Sequence, residues 1–180
     1  MIKFEKVSRF ADADFNLPVR KTANSAGYDF EVAEDIVVPS YPNEVRELME
    51  LRRPHVTFTL AEVARFCKEY KFKPTLVSSG VKCIMEPNQY LELMVRSSTP
   101  LKYWLLLANA PGIVDADYAN NPDNEGEIFF QLINLAPYDI QLKKGDIICQ
   151  GIIKTYDKID DDTSTATRDG GFGSTGGANV

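Results

Sequence analysis

A short segment, ANAPGIVDADY at residues 108–118, combines an amide, two carboxylates and an aromatic ring. An apolar run precedes it, a Pro-Gly pair interrupts it, and a second apolar pair leads to Asp115, Asp117 and Tyr118. A strand, a Pro-Gly turn and a second strand are typical of a β-hairpin. With Asn109 at one end and Asp115 and Tyr118 at the other, such a hairpin has the groups to hold a small, flat, polar ligand. The plainer alternative is a surface hairpin whose aspartates only form turns.

Other segments carry groups suited to phosphate. Arg96, Ser97 and Ser98 directly follow a predicted strand, and an arginine offers a planar fork of donors that serine hydroxyls supplement. Gln150 places an amide on another predicted strand. Near the end of the chain, Arg168 precedes the segment GGFGSTG, whose glycines let backbone N–H groups approach an anion closely. Each of these signals is weak by itself.

Short strands separated by turns must position these groups. Apolar or alternating runs predict strands at residues 2–7, 26–32, 36–38, 76–85, 90–95, 101–107, 128–134, 139–142 and 147–156. Two of these runs, 76–85 and 90–95, are separated by Pro87 and Asn88 and predict a second hairpin. Many short strands with regular turns are typical of an all-β sandwich or jelly roll.

Residues 41–73 differ from the rest and predict two amphipathic helices. The first covers residues 43–53, and Thr59 with Glu62 forms a capping-box pattern that begins the second. The apolar residues on one face of the second helix are Leu60, Val63, Ala64, Cys67 and Tyr70. We expect this face to pack within the chain. The alternative is a protein partner for the insert.

The end of the chain has a different composition. Residues 159–180 are rich in Gly, Ser and Thr, which predicts a flexible C-terminal arm. A length of 180 residues suits one domain. We therefore expect a single domain over residues 1–180, with an insert at about 41–73 and the arm at about 159–180.

Charge and composition exclude several classes of partner. The formal net charge is −6, so a nucleic-acid polymer is not expected to bind, although one pocket with a few cations can hold a small polyanion. No signal peptide and no membrane-spanning run are expected, which predicts a protein of the bacterial or host cytoplasm. Cys67, Cys83 and Cys149 lack metal-ligand spacing and are expected to be reduced thiols. His55 is the only histidine, which argues against a Ser-His-Asp triad.

Taken together and in this order, five segments resemble the five motifs of the trimeric dUTP pyrophosphatases (dUTPases). The segments are AGYDF (26–30), VRSSTPLK (95–102), NAPGIVDADY (109–118), GDIICQGII (145–153) and RDGGFGSTG (168–176). The third and fifth are the most specific. The resemblance covers nearly the whole chain except residues 41 to about 73.

This resemblance implies a fold, an assembly and a reaction. The fold is a mainly β, jelly-roll-like barrel, and three chains form a homotrimer with active sites at the subunit interfaces. The reaction is hydrolysis of dUTP to dUMP and pyrophosphate. Mg²⁺ is the implied cofactor, bound through the substrate phosphates and water without a direct protein ligand.

The resemblance also assigns roles to the matching residues. Asp115 orients and deprotonates the water that attacks the α-phosphate, and Tyr118 packs under the deoxyribose and excludes a 2′-hydroxyl. Asn109 reads the uracil edge together with the hairpin backbone, while Asp29 supports the site. The residues in contact with the base or the phosphates are Arg96, Ser97, Ser98, Gly112, Ile113, Val114, Gln150, Arg168, Phe172, Gly173, Ser174 and Thr175. Among them, Phe172 stacks on uracil and Arg168 contacts the γ-phosphate.

Three features depart from the pattern of the family. Seven residues separate Tyr118 from Gly126, where the common pattern has one. Arg168 lies four positions before Phe172 instead of the usual five. Residues 41–73 have no counterpart in the minimal enzyme.

Two other functions are compatible with parts of the sequence pattern. The related dCTP deaminases use a Glu in the strand after the third motif as general acid/base, and here that position is Gln131, which cannot shuttle a proton. Those enzymes also carry a second arginine where this chain has Leu101. The other alternative is a phage-type regulatory dUTPase that binds a protein partner through the insert.

Overall fold

The computed structural model describes residues 1–50, 57, 59–165, 168 and 171. Its strands are β1 (Lys3–Lys6), β2 (Tyr28–Glu31), β3 (Ile36–Val38), β4 (Thr75–Ser78), β5 (Val81–Ile84), β6 (Gln89–Val95), β7 (Leu105–Leu107), β8 (Gly112–Asp115), β9 (Phe129–Asn134), β10 (Ile140–Leu142) and β11 (Ile147–Thr155). Its helices are α1 (Tyr41–Glu50), α2 (Leu60–Glu69) and α3 (Ser98–Tyr103), with 3-10 helices at Ser8–Phe10 and Ala116–Tyr118. The prediction of a mainly β chain is confirmed.

Antiparallel pairing joins the strands of the described ranges into four sheets. The largest sheet has the order β2-β11-β6-β8, and the second has the order β4-β9-β7. Strand β1 pairs with β5, and β3 pairs with β10. Because β6 lies between β8 and β11, it connects the strand that ends at Asp115 with the strand that carries Gln150.

Buried and partly exposed residues alternate along the strands, and the buried residues of the sheets form one shared core. In β9, Phe130, Leu132 and Asn134 are buried, while the residues between them are partly exposed. The ring of Phe130 meets the ring of Phe30 edge-on at a centroid distance of 5.4 Å. Since Phe30 belongs to β2, this contact joins the two largest sheets across the core.

The two predicted hairpins are wrong. Strand β5 pairs with β1, whereas β6 pairs with β8 and β11, so the Pro87-Asn88 turn connects two different sheets. Strand β7 pairs with β9 and β8 pairs with β6, so the chain also changes sheets at Pro111 and Gly112. Alternation identifies a strand and its buried face, but it does not identify the neighbouring strand.

Residues 101–103 are helical, although the apolar run predicts a strand there. They belong to α3, in which Pro100 lies in the first turn and needs no hydrogen-bond donor. Thr99 anchors the helix by donating from Oγ1 to the carbonyl of Ile148 at 2.7 Å. Trp104 ends the helix in a left-handed conformation, with φ 55°. The predicted strand at 76–85 is also divided, because Gly80, at φ 66°, separates β4 from β5.

The insert contains two helices, and the predicted capping box is confirmed. Thr59 Oγ1 accepts from the backbone N–H of Glu62 at 3.3 Å, and the Glu62 carboxylate accepts from Thr59 N at 2.8 Å. The expectation that the apolar face of α2 packs within the chain is wrong, since Leu60 is 87% exposed and Val63 is 42% exposed. Cys67 of the same face is partly buried and lines a cavity together with Thr75 of β4 and Leu132 of β9. The end of the first predicted helix, at residues 51–53, lies outside the described residues.

The cysteines differ in burial. Cys83 and Cys149 are buried, and Cys67 of α2 is partly exposed; all three are free thiols. Burial raises the pKa of the Cys83 thiol to about 12, and it raises the pKa of Cys149 as well. Within the described ranges, no helix has the length and apolar character needed to cross a membrane.

Candidate active site

One pocket of about 250 Å³ collects most of the residues of the ANAPGIVDADY segment. Strand β8, the 3-10 helix after it and strand β9 supply its walls. The lining residues are Leu93, Asn109, Gly112, Ile113, Val114, Asp115, Tyr118, Ile128, Phe129, Gln131 and Arg168. Seven of the predicted site residues therefore meet at one place.

The amide of Asn109 packs against the start of β8. A Cβ atom on Gly112 would lie 3.3 Å from Nδ2 of Asn109 and 3.3 Å from Cβ of Leu93. A larger residue at position 112 would push the amide away, so glycine permits this close approach. A hydrogen-bonding amide thus lies beside the backbone of β8, the edge strand of its sheet, which suits recognition of the edge of a flat polar ring.

Tyr118 forms an apolar surface of the pocket. Its side chain is buried, and its hydroxyl donates to the carbonyl of Glu127 at 3.0 Å and accepts from Nδ2 of Asn124 at 2.8 Å. Burial raises the pKa of the Tyr118 phenol. The phenol is therefore neutral near pH 7, and its ring lines the pocket.

Asp115 lies half exposed at the end of β8 and is in contact with Arg168. The Arg168 guanidinium donates to the carboxylate of Asp115, and its Nε donates to Oδ1 of Asp117 at 2.9 Å. The same guanidinium carbon lies 5.9 Å from the centroid of the Tyr118 ring. The arm also passes close by at Gly171, where a Cβ atom would lie 2.8 Å from the Tyr118 ring.

A second cluster surrounds Arg96, which directly follows β6. Arg96 Nε lies 3.2 Å from Oδ1 of Asp29, and Asp29 is 8% exposed. Gln150 pairs with Asp29 across the β2–β11 ladder, and a Cβ atom on Gly27 would lie 2.3 Å from Oε1 of Gln150. Ser97, exposed, and Ser98, partly exposed, follow Arg96 at once. One cation, one amide and two hydroxyls thus share one end of the large sheet.

Within one chain, the two clusters lie far apart. Asp115 pairs with Tyr90, near the start of β6, whereas Arg96 follows the last residue of that strand. Six residues of extended strand cover roughly 20 Å. Asp115 and Arg96 therefore lie at opposite ends of β6 in a single chain, whereas Leu93, at the other end of the pocket, is three residues before Arg96.

Some of the predicted site residues are not in the described part of the chain, and some residues at the site were not among the predictions. Phe172, Gly173, Ser174 and Thr175 lie outside the described residues. Asp117 accepts a hydrogen bond from Arg168 but was not predicted as a site residue. Nor were the lining residues Leu93, Ile128 and Phe129, and Gln131 was named only as the position of the deaminase glutamate. Asp117 could have been recognised from the sequence, because it lies two residues after Asp115 in the same motif. Nothing in the alternating pattern of β9 marks Gln131.

The fold and the two clusters define the class of protein. The barrel is antiparallel and has a pocket lined by a carboxylate and an aromatic ring. A separate cluster holds a cation, an amide and two hydroxyls. Together these groups can bind a small phosphorylated ligand. Comparison with known proteins gives the family. The sequence model of the dUTPase family matches residues 61–176, and the chain belongs to this family.

Related proteins agree with this assignment over nearly the full length. The deoxyuridine 5′-triphosphate nucleotidohydrolase of Lactococcus lactis is 34% identical over 175 residues, which cover 96% of each chain.

Solved structures confirm the fold. The dUTPase of Streptococcus mutans superimposes with a TM-score of 0.66 at 32% identity, covering 87% of this chain and 98% of that one. A mutant dUTPase of Staphylococcus aureus phage phi11, which coordinates a structural Mg(II) ion, gives a TM-score of 0.60 at 14% identity, covering 92% and 97%. The phage similarity concerns the fold alone. The prediction of a jelly-roll-like β fold is confirmed.

Proposed function

We propose that the protein hydrolyses dUTP to dUMP and pyrophosphate. The observation that carries the proposal is the single pocket lined by Asp115, Tyr118 and Asn109. An acid, an aromatic surface and an amide are the groups needed to activate water, to pack a sugar and to recognise a base edge. Membership of the dUTPase family and the name of the Lactococcus lactis relative support the same activity.

In the proposed mechanism, Asp115 orients one water molecule toward the α-phosphorus and accepts its proton. The water oxygen forms a bond to the α-phosphorus, and the bond from that phosphorus to the bridging oxygen breaks. The electron pair of the broken bond leaves with pyrophosphate, and dUMP remains. Such a displacement needs alignment of water and leaving group and neutralisation of phosphate charge.

The phosphate groups are assigned to the second cluster and to the arm. Arg96 supplies positive charge, and Gln150, Ser97 and Ser98 supply hydrogen bonds. In the arm, Phe172 stacks on uracil next to Gly173, and Arg168, Ser174 and Thr175 contact the γ-phosphate. Closure of a glycine-rich arm over bound nucleotide would also exclude bulk water from the reaction.

Deamination of dCTP is the less favoured reaction. Gln131 lines the pocket at the position where the deaminases carry their acid/base glutamate. An amide neither donates nor accepts a proton at neutral pH, so this pocket wall cannot perform the proton transfers that deamination needs. The pocket supports attack on phosphate by a water bound to Asp115 instead.

We also propose a homotrimer in which neighbouring chains share each site. The separation of roughly 20 Å between Asp115 and Arg96 supports this assembly, because the proposed reaction needs both residues at one nucleotide. A second copy that places its Arg96 cluster beside the Asp115 pocket would complete the site. The family resemblance implies the same arrangement.

The residues of the second cluster fit a Mg²⁺ ion bound through phosphates and water. Oδ2 of Asp29 is buried without a hydrogen-bond partner, and Mg²⁺ usually keeps several of its waters as ligands. Among the described residues, no group of three or more His, Cys, Asp or Glu side chains could hold a metal ion directly. If the ion is bound through phosphates and water, Asp29 Oδ2 would be available to accept a hydrogen bond from its hydration shell. When bound, the ion supplies neutralisation of the phosphate charge.

Pyrophosphate release from dUTP, dCTP, dTTP and UTP tests the proposed activity. A site that hydrogen-bonds one base edge leaves its polar groups unpaired against another base, which discriminates by orders of magnitude. We expect strong preference for dUTP and loss of turnover when EDTA removes Mg²⁺. A comparable kcat/KM for dCTP would contradict the assignment of uracil recognition to Asn109 and the β8 backbone.

Complementation between two inactive variants tests the shared site. Chains with Arg96→Ala and chains with Asp115→Asn are each expected to be inactive alone. In mixed trimers a site can take Arg96 from one chain and Asp115 from its neighbour, and about one site in four is intact after random mixing. Mixed trimers that stay inactive would contradict the shared site, and mixing two differently tagged Asp115→Asn preparations is the control.

We further propose that the protein acts in the cytoplasm. The three cysteines are free thiols, two of them buried, which suits a reducing compartment.

A second candidate function is regulation of a protein partner through the insert. The observation that favours it is the exposed apolar face of α2, where Leu60 is 87% exposed and Tyr70 is 43% exposed. Loss of a partner after deletion of residues 41–73, with hydrolysis unchanged, would support this function.

A further inference from the structure

The turn between Tyr118 and Gly126 is built around side-chain amides. Oδ1 of Asn121 accepts from the backbone N–H groups of Asp123 at 3.0 Å and Asn124 at 3.1 Å. Nδ2 of Asn121 donates to the carbonyl of Tyr118 and to Oδ1 of Asn124, both at 2.8 Å. The loop at residues 119–125 is thus closed by its own hydrogen bonds.

The second amide of the loop, that of Asn124, contacts the ring hydroxyl of Tyr118. Oδ1 of Asn124 accepts from Asn121 and from the N–H of Gly126 at 3.0 Å, which orients Nδ2 toward the phenol. Nδ2 then donates to Tyr118 Oη at 2.8 Å, and Oη donates to the carbonyl of Glu127 at 3.0 Å. The hydroxyl is therefore held from two sides, once as acceptor and once as donor.

The partners of this network are themselves anchored to the barrel. The Glu125 carboxylate accepts from the backbone N–H and the hydroxyl of Ser8, each at 2.6 Å. The carboxylate of Glu127 is buried and accepts from Arg9 at 2.8 Å and 2.9 Å, and it also accepts from Ser78. Both the loop and the carbonyl that receives the Tyr118 hydrogen bond are consequently fixed in position.

We propose that Asn124 is a positioning residue for Tyr118, and that the 119–125 loop thereby sets discrimination between deoxyribose and ribose. The inference deepens the proposed function and rests on it. Because two hydrogen bonds hold the Tyr118 hydroxyl, its ring cannot move to make room for a ribose. The 2′-hydroxyl of a ribose would therefore be buried against an apolar surface without hydrogen bonds. When Asn124 is removed, one side of the phenol is unsupported, and the ring can shift to admit ribose.

The experiment measures kcat/KM for dUTP and for UTP in wild type, Asn124→Ala, Tyr118→Phe and the double variant. We expect the ratio of dUTP to UTP to fall roughly three- to tenfold in each single variant, on the scale of the hydrogen bond between Asn124 and the phenol, which both variants remove. The double variant should lose no more than Tyr118→Phe does, because both changes break the same contact. The control is Asp123→Ala, whose exposed side chain has no part in the network, and it should keep the wild-type ratio.

The outcomes separate this inference from the proposed function. A purely structural role for Asn124 would lower turnover of both nucleotides equally and leave the ratio unchanged, which overturns the inference. If Asn124→Ala does not fold, Asn124→Asp carries the test, since it keeps an acceptor for Asn121 and Gly126 but lacks the Nδ2 donor to the phenol. A wild-type chain that fails to hydrolyse dUTP overturns the proposed function and the inference together.

Discussion

Arg168 of the arm donates a hydrogen bond to the carboxylate of Asp115, the residue proposed to activate water. Its Nε binds Asp117 at 2.9 Å, and its guanidinium lies over the ring of Tyr118. The cation proposed to contact the γ-phosphate therefore forms ion pairs with two carboxylates. If Arg168 binds phosphate as proposed, it has to exchange these carboxylates for the nucleotide.

Substitution of Asp115 by Asn tests its assignment as the general base. The amide keeps the shape of the side chain but cannot accept the proton of the attacking water. We expect kcat to fall roughly 10²–10⁴-fold, the usual contribution of a positioned acid/base, while binding of a non-hydrolysable dUTP analogue measured by calorimetry is kept. The matched control is Asp117→Asn, which removes the same charge from Arg168 and should lower kcat by less than about tenfold. Near wild-type turnover in Asp115→Asn would place the base elsewhere.

Truncation before Arg168 tests the role of the arm. It removes Phe172, Ser174 and Thr175 together with the ion pairs of Arg168, so pyrophosphate release should fall strongly. Asp115 and Asp117 are about half exposed, and ion pairs of exposed groups contribute about 0–1 kcal/mol. The loss of two such ion pairs should therefore change Tm by no more than about 8 °C in the absence of nucleotide. A truncated chain that hydrolyses dUTP at the normal rate would mean that the arm has no part in catalysis.

The sequence predicted the pocket well because its residues are neighbours in one motif. Residues between Asn109 and Tyr118 must lie close together whatever the sheet pairing, so a local pattern was sufficient. The separation of Arg96 from Asp115 depends on the register of β6 with β8, and register is set by contacts distant in sequence. The same reason explains the two wrong hairpins. The single-domain assignment and the roles of the site residues stay predictions.

Other features could have been recognised only in part. The segment ANNPDNEG at residues 119–126 is typical of a turn, since Asn and Asp side chains bond to nearby backbone. That pattern does not indicate that Asn124 reaches the hydroxyl of Tyr118, because the contact depends on how the loop folds over. The exposure of Leu60 likewise could not be foreseen, since helical periodicity defines an apolar face without showing what covers it.

The burial of the cysteines predicts one reactive thiol out of three. Thiolate is the reactive form, and burial raises the pKa of Cys83 to about 12 and also that of Cys149. Cys67 is partly exposed and should react first with a thiol reagent at pH 8. We expect one rapid equivalent in the folded protein and three in denaturant. Cys67→Ser should abolish the rapid phase, and a rapid phase that persists would contradict the burial of the other two.

The same burial predicts lower stability at alkaline pH. Cys83 has a folded-state pKa of about 12, above the ordinary value of 9.0, so between these values the folded state binds more protons than the unfolded state. The stability that comes from the protonated thiol is fully present below pH 9 and is lost as pH rises toward 12. The slope should reach about 1.4 kcal/mol per pH unit for each such thiol. Urea unfolding at several pH values, compared with Cys83→Ala, measures this contribution.

Replacement of residues 41–73 by a short turn tests whether the insert lies outside the chemistry. Ser40 bridges to Asn134, and Thr75 pairs with Leu132, two positions away on the same strand, so a separation of roughly 7 Å has to be closed. Ser40 keeps its own anchor, a hydrogen bond from its hydroxyl to the carbonyl of Ala136 at 2.7 Å. We expect dUTP hydrolysis to stay within about tenfold of wild type, equivalent to ~1.4 kcal/mol.

Three other outcomes would each assign the insert a different role. If activity collapses while the trimer survives, measured by light scattering, the helices contact the active site or brace the arm of a neighbouring chain. If the protein becomes insoluble, Tyr41 and Phe72, whose rings stack at 5.4 Å, were covering the apolar surface of β9. A variant with two alanines at Leu60 and Val63 is the matched control, because both side chains are exposed and their loss leaves the backbone of the insert in place. If this double variant hydrolyses dUTP at the wild-type rate but no longer binds a cellular protein, the exposed face of α2 is a docking surface.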